Sequence, residues 1–573
     1  MSAPSSPARV LLRRWQQDAL DRFRASSRPD FLAVAVPGAG KTTFALVAAR
    51  VHLAGRRGRL VVVVPTRHLR QQWADAAARF GLVLLSEWDG RGAMPADVHG
   101  VCTTYQQVAS NPGAFRTASA GGMVVLDEIH HAGAERAWGD ALTAAFAGAE
   151  RRLSLSGTPF RSDDAEIPFV EYHLDTAWAD YEYGYGEALA DGVVRPVFFP
   201  RFDGHMEWTA PDGSRLEATF DAPLTRSLAN QRLRTALAPG GDWLPAVLAR
   251  ADQRLTAMRR DDPRAGGLVL TIDQDHARSV ARLLERLGTP PLVATSDDPE
   301  ASDRIARFAA GSHPWLVAVR MVSEGVDIPR LRVAVWATVT TSELFFRQAV
   351  GRIARVTEHD DQRAWMFLPD DFRLRTHAAR IAEARRHELR RRDGDEDEDE
   401  RDVTFADPDA VIDGDTEQLS LFEALSSHLL DEHDDERAGP DAGPTDAGAA
   451  GAIRPGDGYD FWPDGAIAVG RGVPFDLADL APPAVAAANA EADVGAGAGA
   501  ATVSASKRRR ELRALNSAVA GDLARVTAMT HAQVNRELNR LAGIASVGEA
   551  TAAQLETRLQ KGRDWLTQAG RRR

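Results

Sequence analysis

The sequence predicts an α/β chain with two tandem parallel-sheet lobes, followed by a disordered acidic linker and a small all-α module at the C-terminus. Three observations predict it. From Leu11 to about Pro369, short apolar or β-branched runs alternate with turn signals and amphipathic stretches, the pattern of parallel strands joined by crossover helices. The chain of 573 residues is longer than one hydrophobic core serves, so several units are expected. Its charge is also segregated. Residues 1–392 carry 51 Lys+Arg against 47 Asp+Glu, residues 393–502 carry 4 against 28, and residues 503–573 carry 14 against 6, so the overall −12 resides in the middle segment.

Taken in order, Phe31–Val36, Leu60–Val64, Met123–Leu126 and Leu153–Leu155 supply strands of one sheet, in a first lobe over residues 1–164. Residues 165–262 are a less regular connecting region with a hairpin at Pro211, Asp212 and Gly213. Leu268–Ile272, Trp315–Val319, Arg332–Trp336 and Ala364–Leu368 supply the sheet of a second lobe over 263–392. A charged helix then runs to about Arg392 and meets Asp393–Asp402, where like-charge repulsion and scarce apolar side chains predict disorder. Gly- and Ala-rich stretches at 437–458 and 481–500 extend this linker, so that 393–502 is expected to be largely disordered. Within it, Tyr459–Leu480, with Phe461 and Trp462, is either unstructured or a small docking segment. Helical spacing returns at Leu512, Leu515, Val519 and Leu523 and at Val534, Leu538 and Leu541, giving a basic helical module over 503–573.

Composition narrows the function classes. Hydrophobic content of 44% and charged content of 26% are those of a soluble globular chain, and no apolar run approaches the roughly 20 residues that span a bilayer. Met1–Val10 has no apolar stretch of the signal-peptide kind, so a cytoplasmic location is expected. Cys102 is the one cysteine, which excludes an intramolecular disulfide and any multi-cysteine zinc site.

The apolar run Phe31–Val36 leads directly into Pro37, Gly38, Ala39, Gly40, Lys41, Thr42 and Thr43. Glycines let backbone wrap a phosphate chain, amides at the following helix start supply positive potential, Lys41 reaches the outer phosphates, and Thr42 holds Mg2+. The general pattern opens with Gly, where this chain has Ala35. A nucleotide triphosphate such as ATP is the ligand this loop suits.

A second apolar run, Met123–Leu126, ends in Asp127, Glu128, Ile129 and His130. A nucleotide site needs one carboxylate on the metal and another to polarise the attacking water, and adjacent residues at a strand's C-terminal end can serve both. Asp127 is assigned the metal and Glu128 the water. An acidic pair alone is usually a solvated strand end; its place downstream of a phosphate loop gives it chemistry.

In this context Asp127–His130 resembles the DExH form of the second motif of superfamily 2 helicases, and other motifs of that family occur in order. Leu12, Arg13, Arg14, Trp15 and Gln16 resemble its LRxYQ-type start, which implies that Gln16 contacts adenine. Val64, Pro65, Thr66 and Arg67, with Leu69, Gln72 and Trp73, resemble motif Ia. Thr103, Thr104, Tyr105 and Gln106 resemble a TTYQ strand end; both segments imply nucleic-acid contact. Ser156, Gly157, Thr158, Pro159, Phe160 and Arg161 resemble the GTPxR form of motif III, which implies that Ser156, Thr158 and His130 couple the nucleotide site to the track. Ser323, Glu324, Gly325, Val326 and Asp327 resemble motif V, with Ser323 toward nucleic acid and Gly325 and Asp327 toward the nucleotide. Gln348–Arg355 matches the QxxGRxxR of motif VI. Gln348, Arg352 and Arg355 are thereby catalytic candidates, the arginines neutralising charge on the transferred phosphoryl group.

The resemblance covers residues 11 to about 369. It implies two RecA-like lobes, ATP and Mg2+ as cofactors, ATP hydrolysis at the interface of the lobes, and nucleic acid as partner. The versions of motifs II, III and VI are closest to DNA repair, phage and restriction-type motors, so DNA is preferred to RNA. A helicase or translocase is the leading reading; a non-unwinding remodeller and a nucleotide-gated nucleic-acid-sensing switch carry the same motifs. The terminal module, with Lys507–Arg510 and Arg571–Arg573, is either a DNA-binding accessory domain on a flexible leash, with a possible role in contacting a protein partner, or a solvated bundle with basic ends.

Overall fold

A computed structural model describes residues 9–133, 136–157, 167–173, 176–210, 213–295, 298, 300–319, 328–357, 362–393, 423–433, 473–481, 498–527 and 529–570. In chain order the elements begin with β1 (Arg9–Leu12), α1 (Arg14–Ala25), β2 (Asp30–Ala35), α2 (Lys41–Leu53), β3 (Leu60–Val64), α3 (Arg67–Arg79), β4 (Leu84–Leu85), β5 (Gly100–Thr104), α4 (Tyr105–Ser110), α5 (Pro112–Ser119) and β6 (Met123–Leu126). They continue with α6 (Arg136–Phe146), β7 (Arg151–Ser156), β8 (Glu171–His173), β9 (Thr176–Trp178), β10 (Tyr181–Tyr183), α7 (Tyr185–Ala190), β11 (Val197–Phe198), β12 (Arg201–Thr209), β13 (Arg215–Thr219), α8 (Arg226–Ala236) and α9 (Trp243–Met258). Then come β14 (Gly266–Thr271), α10 (Gln274–Arg286), β15 (Leu292–Ala294), α11 (Ala301–Ala310), β16 (Trp315–Val319), β17 (Leu331–Ala337), α12 (Glu343–Ile353), β18 (Ala364–Pro369) and α13 (Phe372–Asp393). The last described elements are β19 (Glu423–His433), β20 (Val473–Asp476), α14 (Ala498–Thr527), α15 (His531–Ala542) and α16 (Ala552–Gly570).

The chain divides into two units: Met1–Ala35, Gly40–Glu182 and Arg471–Arg573 form one, and Val36–Ala39 with Tyr183–Gly470 form the other. The first unit holds a seven-stranded sheet in the order β10-β2-β7-β6-β3-β5-β4. Its central strands are parallel and buried on both faces, which explains continuous apolar runs such as Leu60–Val64 in place of alternation. Because they run the same way, their carboxyl ends share one edge: Val64 is level with Thr104, Val63 with Leu126, and Val34 with Ser156. In open α/β sheets that edge is where ligands bind.

The second unit carries a sheet in the order β13-β12-β18-β17-β14-β16-β15, with β11 added on β18 and β19 on β12. Trp208, Trp243, Trp315 and Trp365 are buried in its core. Four runs read from sequence as strands of the second lobe are β14, β16, β17 and β18, paired in parallel. β12 and β13 form an antiparallel hairpin whose turn closes through Gly213, at φ +84°.

Two strands occur within the stretch expected to be largely disordered, β20 inside the 459–480 segment for which docking is the alternative reading. β19 lies antiparallel along β12, and β20 along β1. A strand needs only alternate side chains on its covered face: Ser427 is buried and Leu429 packs against the second unit's core, while His428 is exposed. Average charge over the whole segment hides so short a pattern. Phe461 and Trp462 lie outside the described residues, as do 394–422 and 434–472.

The terminal helices pack within the first unit, where the sequence suggests a leash. α14 lies along α3, and Arg509 pairs with Asp97, both nearly buried. Asp97 also accepts the Ala552 amide N–H (3.1 Å), and Glu549 accepts that of Ala93 (3.2 Å). Arg509, in the basic cluster for which phosphate contact is one of the two readings, is thus used inside the protein; its neighbour Arg508 is exposed and paired with Glu556. Within the bundle Arg558 donates to the amide oxygens of Asn516, Asn535 and Asn539, a polar core that fixes the helix register. Arg571–Arg573 lie outside the described residues.

Candidate nucleotide site

β2 delivers the chain to the carboxyl edge of the first sheet, and the loop after it turns through two left-handed glycines, Gly38 at φ +83° and Gly40 at φ +89°. Any other L residue is strained there. A Cβ on Gly40 would also stand 2.7 Å from Gln16 Nε2. Gly40 is the N-cap of α2 and brings no capping side chain, so the first-turn amides of Lys41, Thr42 and Thr43 are left for an anion. Gln16 braces this loop: its Nε2 donates to the Gly40 carbonyl (2.9 Å) while its Oε1 accepts the Arg13 N–H (2.8 Å). Lys41 Nζ donates to the Ala35 carbonyl (3.0 Å) and stands 3.5 Å from Glu128 Oε1.

Two strands away, β6 ends in the acidic pair. Asp127 is held at three points: its N–H donates to the Val63 carbonyl (2.9 Å), its carbonyl accepts Tyr105 Oη–H (2.8 Å), and its Oδ2 accepts Trp73 Nε1–H (2.9 Å). Glu128 has φ +48°, a left-handed conformation costly for a residue with a side chain. Its carbonyl accepts the His131 N–H (3.0 Å) and its Oε2 the Gly157 N–H (3.2 Å), contacts that hold the strained residue. His130 Nδ1 lies 3.4 Å from Ser156 Oγ and 3.6 Å from Glu128 Oε2, which joins the ends of β6 and β7.

The two carboxyls are driven in opposite directions. Burial, then the charge of Glu128, pushes Asp127 up to about 7 against the pull of Lys41 and Trp73. Burial also raises Glu128, but Lys41, then His130, His131 and the Gly157 amide outweigh it and bring it to about 2. The surroundings thus favour the charged form of Glu128, whereas burial disfavours that of Asp127, which a cation beside it would favour. Among the described residues no group of three or more His, Cys, Asp and Glu side chains could hold a metal.

The remaining candidates lie at the same edge or elsewhere. Val64, Pro65 and Thr66 lead from β3 into α3, with Thr66 at its N-cap and Arg67 exposed. Thr103 and Thr104 end β5; Thr104 caps α4, and both hydroxyls meet Gln107 Oε1 (3.1 and 3.5 Å), which also accepts Arg70 Nη1 (2.9 Å). Gln348 and Arg352 sit on α12 of the second unit, and Arg355 lies just beyond it in a bridge to Val194. That helix is fixed by Glu343, which accepts Arg347 Nε (2.8 Å) and Arg380 Nη1 (2.9 Å). Thr158, Ser323, Gly325 and Asp327 lie outside the described residues.

Comparison with known proteins decides the family. Residues 9–161 match the model of the Type III restriction enzyme res subunit, and residues 264–357 match that of the Helicase conserved C-terminal domain. The chain belongs to the superfamily 2 helicases. An uncharacterized protein of Mycobacterium tuberculosis is 47% identical over 390 residues, covering 66% of this chain and 65% of that protein. A protein of Halobacterium salinarum, provisionally named DNA 3'-5' helicase Rad25, is 27% identical over 341 residues, covering 57% of this chain and 49% of that one. Among solved structures, a fragment of a provisionally assigned HsdR subunit of a type I restriction enzyme from Vibrio vulnificus aligns with a TM-score of 0.45 at 19% identity, over 63% of this chain and 64% of that one.

Against this helicase framework, two residues acquire roles that motif reading missed. Trp73 and Tyr105 appear in the sequence as motif letters, yet both aim a polar tip at Asp127. The available signal was chemical: a buried indole or phenol seeks a hydrogen-bond partner.

Proposed function

We propose that this superfamily 2 chain is an ATP-dependent helicase or translocase with DNA as its preferred track. One arrangement carries the reading: a phosphate-type loop opening an uncapped helix, with Lys41 3.5 Å from Glu128 and the buried carboxyl of Asp127 beside it. In this reading the first-turn amides and Lys41 bind the phosphates of ATP, and Asp127 and Thr42 hold Mg2+. The bound metal would neutralise charge on the phosphate oxygens. Glu128, whose charged form Lys41 favours, orients the attacking water and accepts its proton. Gln16 steadies the loop and borders the base. Gln348, Arg352 and Arg355, with Gly325 and Asp327, are proposed to complete the site from the second lobe. His130, Ser156 and Thr158 would relay its state to Pro65, Thr66, Arg67, Thr103, Thr104 and Ser323 on the nucleic acid.

The test is ATP hydrolysis by the full chain, alone and with single-stranded, duplex and forked DNA and with RNA, using Glu128→Gln as the blank. Strong stimulation by a DNA form supports the proposal and names the track. Turnover by Glu128→Gln equal to wild type would refute the assigned chemistry, and stimulation by RNA alone would overturn the DNA preference.

A further inference from the structure

We infer that Trp73 is a positioning residue for the cation at this site, holding the Asp127 carboxylate so that Oδ1 is presented and Oδ2 is not. The inference rests on the nucleotide-site reading above and adds a residue to it. Trp73 lies on α3, the helix entered from β3 through Pro65 and Thr66, and is 2% exposed. The indole has one polar atom, and its N–H is spent on Asp127 Oδ2 at 2.9 Å in a buried contact. Asp127 Oδ1 receives no hydrogen bond among the described residues and is not among the buried side-chain atoms lacking a partner.

A carboxyl group can rotate about its Cβ–Cγ bond and offer either oxygen. The backbone of Asp127 cannot follow such a rotation, because the Val63 carbonyl and the Tyr105 hydroxyl clamp its N–H and C=O. The side-chain torsion is the freedom left, and the Trp73 N–H restrains it. A hydrogen bond to a metal-ligating carboxylate fixes its orientation, and losing such a partner typically costs about 10–100-fold in metal affinity. Phenylalanine could occupy most of the indole's volume and supply none of this restraint.

The test uses the full chain with Mn2+ as the probe, titrated by electron paramagnetic resonance in the presence of a non-hydrolysable ATP analogue. Trp73→Phe should weaken Mn2+ binding about 10–100-fold, while metal-free binding of the analogue stays within twofold. Its hydrolysis should be depressed at low Mg2+ and recover as Mg2+ is raised. If Trp73→Phe disturbs folding, benzothienylalanine at position 73, which replaces the indole N–H by sulfur at nearly the same shape, makes the same comparison. Mn2+ affinity within twofold of wild type in the folded variant would overturn the inference. Asp127→Asn, run in parallel, separates this from failure of the underlying reading: if it too leaves Mn2+ affinity unchanged, Asp127 is not the metal ligand at all.

Discussion

Removing one partner of the Arg509–Asp97 pair should release the terminal bundle from the first unit. The side chains are 5% and 11% exposed. In Arg509→Met the Asp97 carboxylate keeps the Ala552 N–H but loses its cation in a site with little water. Breaking a buried pair in this way costs about 3–5 kcal/mol, because a charge is left without compensation. At about 1.4 kcal/mol per tenfold, that is a local opening roughly 10² to 4 × 10³-fold more frequent. Hydrogen exchange followed by mass spectrometry reads it directly, through α14, α16 and the facing side of α3. Replacing both partners, Arg509→Met with Asp97→Leu, should recover part of the loss, since the uncompensated charge is gone while the Ala552 N–H and the Ala550 carbonyl lose their partners. Exchange in Arg509→Met within threefold of wild type, or a double variant as loose as the singles, would refute the view that this pair secures the bundle.

Three further outcomes are expected. Lys41→Ala should abolish binding of a fluorescent nucleotide, whereas Glu128→Gln should bind it and release no phosphate. Gly40→Ala should be strained at φ +89° and displace the Gln16 amide, weakening nucleotide binding at least tenfold in the same titration. Stability should fall as pH drops from about 6.5 to about 4: burial, and then Arg50 for His99, lowers His52 and His99 to about 4, so over that window the unfolded chain takes up protons that the native chain refuses. His99 Nδ1 accepts the Val83 N–H at 2.8 Å, a bond that protonation there destroys. Each histidine contributes up to about 3 kcal/mol to this slope, and thermal melts of His99→Phe between pH 7 and pH 4.5 should show a shallower decline than wild type.

The central strands of both sheets were legible because parallel strands buried on both faces leave unbroken apolar runs, as at Leu60–Val64 and Trp315–Val319. The phosphate loop was legible because its chemistry is confined to one stretch, from Pro37 to Thr43. Less accessible were features made by distant pieces. Arg509 reads in local sequence as part of a basic run, open to phosphate or to solvent; only the fold brings Asp97 to it. β19 escaped because acidic neighbours mask the few side chains that its covered face needs. The strain at Glu128 has no local signature, since its left-handed backbone is held by hydrogen bonds from His131 and from the distant Gly157.

The pairing of β1 with β20 has a consequence for biosynthesis. Leu12 meets Val473, so the first described strand stays unpartnered along that edge until the ribosome has added roughly 460 more residues, a wait of about 25–90 s at 5–20 residues per second. The whole second unit emerges in that interval. The unit that begins first is therefore completed last, and its exposed β1 edge and uncovered α3 face must be kept from other nascent chains throughout.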